Sequence, residues 1–401
     1  MQKKPFLSLQ NIIIICVISF QFVIIFNLIY SKYVSLVDKS EVGMDFLSYY
    51  SVGYIFREVS ATNIYNLPLQ YQTQGSLMPN YHGFFTFFNH PPILVPLLGL
   101  LVEKDFTIAY VKWVVIIILF QIISLGILIR LMYLQKWERR KKWLTALSGV
   151  FFYPFIVACI RGHDSTFLFL GISIWAFGLM TSKDIAAGLG LAMVMIRPQI
   201  ALVLAVPFLF KNRRVWFWFL LWGFALFIYM YLSIGLKGIL GFVEVMQHTG
   251  SGLGLDVNNM ATFMGFVIRW FPGITPLLFK LIGYFGYLIS ILVLCMVWIK
   301  SDIIGFKQIN IAILCAILFS PHLNYHDLII LFVPIVGVIS LLNQSKALGK
   351  YTIVLPLVIS VLLIIGDLLN FLFFIYLIIF SLAILSWKPV IFDRFQRIVK
   401  I

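Results

Sequence analysis

Charge is scarce in this 401-residue chain: Asp, Glu, Lys and Arg make up 11% of it, and 15 acidic residues face 30 basic ones. Soluble domains carry about 25% charged residues, so the composition excludes an ordinary water-facing surface. Cysteine is scarcer still, with 4 in all. Cys16, Cys159, Cys295 and Cys315 lie in apolar runs with no close pair and no Cys/His ligand spacing, so neither a disulfide framework nor a zinc site is indicated. The chain also lacks a glycine-rich nucleotide loop, a low-complexity linker and an internal repeat. One membrane-embedded domain over 1–401 is the simplest organisation.

What the chain has in abundance is apolar length. It is 62% hydrophobic, with many runs of about 17 to 25 residues, the length that crosses a bilayer as a helix. Lipid cannot satisfy free backbone groups, and continuous runs without strict alternation exclude a barrel. The expected fold class is therefore all-α, a polytopic transmembrane helical bundle.

The first run, 11–30, follows Lys3 and Lys4, is long for a signal core and has no small-residue cleavage site. It reads as an uncleaved anchor. Placing basic clusters in the cytoplasm puts both termini inside, together with 130–143, 181–184, 211–214, 300–308 and 343–350. These segments hold most of the 30 basic residues, accompanied only by Glu138, Asp184, Asp302 and Asp393. The +15 net charge is thus a topology signal and implies no nucleic-acid partner. About twelve spans follow: 11–30, 106–130, 144–160, 165–181, 185–197, 199–210, 215–234, 275–299, 306–320, 328–342, 351–366 and 369–387. The pair 185–197 and 199–210 is too short to cross fully and predicts a hairpin whose turn, Arg197-Pro198-Gln199, is buried beside protein or water. The charge rule keeps 84–102 from being a span. The first outer loop, 31–105, then carries helices lying along the membrane, the last opened by Pro91-Pro92.

All 6 histidines fall on the lysine-poor outer face, among the longer loops 31–105 and 235–274 and the turns 161–165 and 320–328. Long excursions on one face of a rigid scaffold are where binding and catalysis are usually built. Asp45, in Gly43-Met44-Asp45-Phe46-Leu47-Ser48-Tyr49-Tyr50, is a carboxylate in apolar surroundings, which suits a general base. The alternative is a helix N-cap for an amphipathic stretch from Phe46 to Glu58. Arg197 in the hairpin needs an anionic partner or water. A lipid phosphate would serve, and so would snorkelling to the headgroups or a pair with a distant carboxylate such as Asp164. Arg161-Gly162-His163-Asp164-Ser165 packs a cation, an imidazole and a carboxylate into one turn, or is a solvated connection in which Asp164 or Ser165 caps the next helix.

In Ser320-Pro321-His322-Leu323-Asn324-Tyr325-His326-Asp327 the two histidines share a face if helical. The Glu of a metalloprotease pattern is missing and Pro321 breaks the helix, so hydrogen bonding to sugar or phosphate is preferred to a metal. Asn258 and Asn259, after a glycine-rich loop from Gly250 to Gly254, suit a substrate gate as well as a plain connector.

The order of these features resembles glycosyltransferase family 87: DFLSYY with Tyr49 after the first span, Tyr65, the HPP helix start at His90, the RGHDS turn, the Arg197-Pro198-Gln199 hairpin, NNMATFMGFVIR, and SPHLNYHDL. The resemblance covers nearly the whole chain and rests on motif order, since no single motif is highly specific. It implies a GT-C type membrane enzyme, mannosyltransferase-like, using a polyprenyl-phosphate-linked sugar donor and a lipid or glycan acceptor, without a cofactor. On that resemblance Asp45 matches the catalytic Asp and Arg197 a phosphate contact. Tyr49, His90, Arg161, His163, Asp164, Gln199, Asn258, Asn259, His322 and His326 fall at substrate-binding positions. The turn that often reads Gly-Gln-x-Asn in the family is Gly162-His163-Asp164-Ser165 here. A transporter or flippase of lipid-linked saccharides, or a polymerase or ligase, is the alternative. Two related halves would mark the transporter and a large late loop the polymerase, and the chain has neither.

Overall fold

The computed structural model describes residues 43–78, 86–250, 260–271, 273–301, 303–343, 354–369 and 373–387, plus positions 19, 23, 26 and 27. The expected anchor 11–30 lies almost wholly outside the described residues. So do Asn258, Asn259, the basic segment 344–350 and the tail from Lys388. Among the described residues the chain is helical and no strand occurs. In order, the helices are α1 (Met44–Tyr54), α2 (Leu67–Leu77), α3 (Val95–Leu101), α4 (Phe106–Leu134), α5 (Arg139–Val150) and α6 (Tyr153–Arg161). Next come α7 (Ser165–Met180), α8 (Asp184–Val194), α9 (Pro198–Ala205), α10 (Arg213–Gly250) and α11 (Phe263–Trp270). The series ends with α12 (Pro276–Ile299), α13 (Phe306–Leu318), α14 (Phe332–Leu342), α15 (Leu355–Leu368) and α16 (Phe373–Trp387).

Among the described residues, 5 helical stretches are long and apolar enough to cross a membrane: Phe106–Leu134, Arg139–Arg161, Arg213–Gln247, Leu277–Ile299 and Tyr325–Leu342. The other apolar helices are 10–17 residues long. The outer faces explain why so much hydrophobicity is compatible with folding. Val111, Val115, Ile118 and Ile122 stand exposed at helical spacing on α4, as do Leu220, Phe224 and Phe227 on α10 and Leu277, Leu281, Leu288 and Leu292 on α12. Broad apolar surfaces of this kind belong against lipid. The stretch Tyr325–Leu342 is the opposite case: 94% of its window is buried within the protein, so it is the central post of the bundle.

Local chemistry sets the helix ends. Asp105 accepts the amide of Thr107 at 2.7 Å to open α4. Asn66 accepts that of Leu69 at 2.9 Å to open α2, and Thr275 that of Leu278 at 3.3 Å to open α12. These are the caps expected of Asp, Asn and Thr. Proline stands in the first turn of α2, α3, α6, α9, α12 and α15, where its missing N–H costs nothing.

α7 and α8 approach backbone to backbone because both carry glycine at the crossing. A Cβ on Gly190 would lie 2.4 Å from Trp175 N, and one on Gly178 the same 2.4 Å from Ala187 N. Small residues allow this close approach where lipid supplies no hydrophobic drive. Gly190→Ala should therefore lower stability by about 1–3 kcal/mol through overpacking, read as a drop in the midpoint of thermal unfolding in detergent. An unchanged midpoint would argue that the helices separate freely.

One expectation for the outer segments is corrected. The stretch from Phe46 to Glu58 is not an amphipathic helix lying on the membrane. Phe46, Leu47, Tyr49, Tyr50 and Val52 are all buried, and Phe46 packs on Tyr110 and Trp113 of α4 with ring centroids 5.5 and 6.4 Å apart. The period-3.6 pattern failed because α1 is covered on every side. The span expected to end at 234 does so: Gly235 (φ +67°, ψ 175°), in a conformation open to glycine, breaks the helix within α10, and a second helical stretch runs on from the kink to Gly250. The expected hairpin at 185–210 is present, α8 ending at Val194 and α9 starting at Pro198.

Candidate functional site

Five pieces of chain meet at one place: the start of α1, the segment ending at His90, the α6–α7 turn, the α8–α9 turn, and the segment between α13 and α14. Each is held by its own scaffold. On α2 the buried Gln70 accepts the Phe88 amide at 2.8 Å and donates to Ile64 O at 2.6 Å, and Gln74 donates to Thr86 O at 2.8 Å. Tyr65 Oη donates to His90 O at 2.6 Å. Together they fix the segment that presents His90.

The α6–α7 turn depends on Gly162, at φ +70°, which ends α6 in the left-handed region. Trp113 Nε1 donates to Gly162 O at 2.8 Å, and Tyr110 Oη to Cys159 O and Ile160 O at 2.7 and 2.9 Å. A Cβ at Gly162 would stand 2.6 Å from Phe46 Cβ, so this glycine also lets α1 reach the turn. The segment before α14 is pinned by Ala261 N donating to Leu323 O at 2.8 Å, by Gln199 Nε2 donating to His322 O at 3.2 Å, and by Tyr287 Oη donating to Gln199 O at 2.6 Å.

At the centre lies Arg197, 5% exposed. Its Nη2 donates to Asp164 Oδ1 at 2.8 Å and approaches Asp327 Oδ1 at 3.3 Å, while Nη1 donates to His90 Nδ1 at 2.9 Å and Ile196 O at 3.2 Å. Of the readings open for Arg197, the pair with Asp164 is the one present, and Asp327 joins it. The guanidinium is held by protein carboxylates and also lines the cavity at this site. Because Arg can only donate, His90 Nδ1 accepts and the ring is neutral. Burial, then the nearby Arg197 charge, pushes the His90 pKa down to about 4. Burial, His326 and Arg197 likewise hold His163 well below the usual imidazole range. Burial is the largest single influence on the Asp164 carboxylate and works against it, but the charge and hydrogen bond of Arg197 together with the other neighbours keep its pKa below the ordinary value.

The rings form two stacked pairs that meet edge to face, His90 against His163 at 5.6 Å and 83°. Tyr49 lies over His90 at 5.4 Å and 17°, and His163 over His326 at 3.6 Å and 29°. Asp45 falls in the first turn of α1, with Gly43 at the cap position, so Asp45 is not the N-cap. A carboxylate oxygen of Asp45 and one ring nitrogen each of His163 and His326 lie within 4.8 Å of one another.

This cluster forms the polar end of a cavity of about 270 Å³. His90, His163, Arg197, Gln199, His322, His326 and Asp327 line it, with Asn89 and Asn324. The other walls are Met246, Met264, Phe279 and Tyr284, with Lys280. Met246, Lys280 and Tyr284 are exposed on the apolar outer surface of α10 and α12, so the cavity opens sideways between those helices. Tyr49, Asp164 and Asp45 stand behind the lining residues. Arg161 is not among the residues that line the cavity; it stands at the end of α6, where its charge acts on Asp367 and His326. Asp327 was quoted in the motif and not chosen as a site residue; its adjacency to His326 was the available signal. Ser165, hydrogen-bonded to both His163 and Asp327, gave none beyond its place in the turn. No family model, curated protein or solved structure matches the chain.

Proposed function

We propose that this chain is an integral membrane glycosyltransferase of GT-C type, related to glycosyltransferase family 87. It moves a hexose of the mannose kind from polyprenyl phosphate to an envelope lipid or glycan on the non-cytoplasmic face. The observation that carries the reading is the two-ended cavity: the Asp327 carboxylate, Arg197 and imidazoles at its inner end, with Asp45 just behind them, and apolar walls leading to a lipid-facing mouth at the other. An amphiphile with a sugar head and a polyprenyl tail has that shape and polarity.

In this reading the prenyl chain enters between α10 and α12 and the phosphate rests near Lys280, the cation at the mouth. Asp45 takes the proton of an acceptor hydroxyl as its oxygen attacks the anomeric carbon in line. The bond from that carbon to the phosphate oxygen breaks, the configuration inverts, and polyprenyl phosphate leaves with the electron pair. Chain tracing supports the sidedness and the span count of about twelve. Helices lead from the turns of the site to the basic turns at 181–184, 211–214 and 300–307, and the consecutive pair α6 and α5 leads to 135–142; the positive-inside rule assigns these turns to the cytoplasm.

A second reading, a carrier of lipid-linked saccharides, draws on the broken α8–α9 pair with its buried charge at Arg197. One pair of measurements decides. Mass spectrometry of envelope glycolipids and glycans from cells with and without the gene should reveal a missing hexose, and purified protein should transfer labelled mannose from a synthetic polyprenyl phosphate. Movement of the donor across vesicles without transfer would select the carrier; neither transfer nor a missing sugar would end the enzyme reading.

A further inference from the structure

Asp45, His163 and His326 converge from three separate parts of the chain, with one possible ligand atom of each within 4.8 Å of the others. Ser165 Oγ donates to Asp327 Oδ1 at 2.6 Å, so it must accept from His163 Nδ1, 2.9 Å away. That places the proton of His163 on Nδ1 and leaves Nε2 with its lone pair. Arg197 Nη2 is 3.4 Å from that nitrogen, too far for a strong hydrogen bond.

His326 is 2% exposed and lines the cavity, yet its Nε2 makes no hydrogen bond, with Asp327 Oδ2 standing 3.8 Å off. A buried polar atom left this way loses its hydration without replacement, so it calls for a partner. Metal-bound imidazoles almost always donate their second ring N–H to a carboxylate or hydroxyl, which is what Ser165 and Asp327 provide for His163. Charge points the same way, since Asp164 and Asp327 share the one guanidinium of Arg197.

We propose that Asp45, His163 and His326 bind a divalent transition-metal ion of the zinc type, with a fourth position open to the cavity. One carboxylate and two imidazoles suit such an ion, and three protein ligands with an open position are the pattern of reactive zinc sites. Ligand atoms about 2.0–2.2 Å from zinc stand roughly 3.3–3.5 Å apart, so binding draws the three groups together by about 1 Å. The partner of His326 is then His163 across the bundle, in place of the sequence neighbour His322. A hydroxyl held at the open position would be more acidic than in water. The proposal is independent of the transferase reading, and its test uses no sugar.

The full chain, purified in detergent and stripped with a chelator, is titrated with zinc alone and its metal content measured. One zinc per chain is expected. Affinity should fall at least about tenfold in His326→Ala and Asp45→Asn and stay within about twofold in His322→Ala. Cobalt in the same wild-type protein should give the intense visible bands of a four-coordinate ion, a readout that stands even if the variants fail to fold. No zinc bound beyond the detergent blank, equal affinity in His326→Ala, or protein-bound cobalt lacking those bands overturns the proposal.

Discussion

Arg197→Ala should cost about 3–5 kcal/mol of stability, the penalty for breaking a buried ion pair by removing one partner. Asp164, Asp327 and His90 all bond this side chain, and both carboxylates are no more than 3% exposed. Without the guanidinium two negative charges face each other away from water, and the α6–α7 turn, the α8–α9 turn and the start of Tyr325–Leu342 lose their common tie. Arg197→Lys keeps the charge but has no planar fork to reach both carboxylates and His90 together, so it should recover only part of the loss. The measurement is thermal unfolding of each variant in detergent, alongside its yield from membranes. A wild-type melting curve for Arg197→Ala would mean that the triad is not structural, and would return Arg197 to a role in gripping donor phosphate.

Turnover should fall by about 10²–10⁴ in Asp45→Asn, the range that a positioned general base supplies, with donor affinity preserved within a few-fold. Asparagine keeps the size and shape of the side chain in the first turn of α1, so packing against α4 is retained while the proton acceptor is lost. Asp45→Ala should be as inactive. Folding is checked by the melting midpoint, and transfer is assayed with a synthetic polyprenyl-phosphate sugar. Turnover retained by both variants excludes the base. Because Asp45 is also a proposed zinc ligand, His326→Ala separates the roles: loss of zinc with turnover intact would leave the carboxylate acting alone.

Much of the helix pattern was legible before any coordinates. The starts and ends of α4, α7, α8, α9, α12 and α13 lie close to the expected bounds, because each is a run of apolar residues between polar turns and no competing structure can satisfy its backbone in lipid. α1 was legible as a helix and misread as interfacial. Its phenylalanine and tyrosines are equally at home at a membrane surface and in a core, and only α3 and α4 packing over it distinguish the two. Of the site, the RGHDS turn, Arg197 and the SPHLNYHD segment were singled out from residue chemistry, and His90 by the family resemblance.

Hydrophobic length and the placement of basic residues were properties of the chain alone, since both express the cost of exposing backbone or charge to lipid, a cost paid segment by segment. Which polar residue answers which was decided only in three dimensions. Arg197 could have faced a ligand, the headgroups or a carboxylate; the glycine-mediated closeness of α1 to the α6–α7 turn and the depth of Tyr325–Leu342 brought Asp164 and Asp327 to it. Ion pairs and stacked imidazoles act over a few ångströms between segments more than 100 residues apart, a relation that no local pattern encodes.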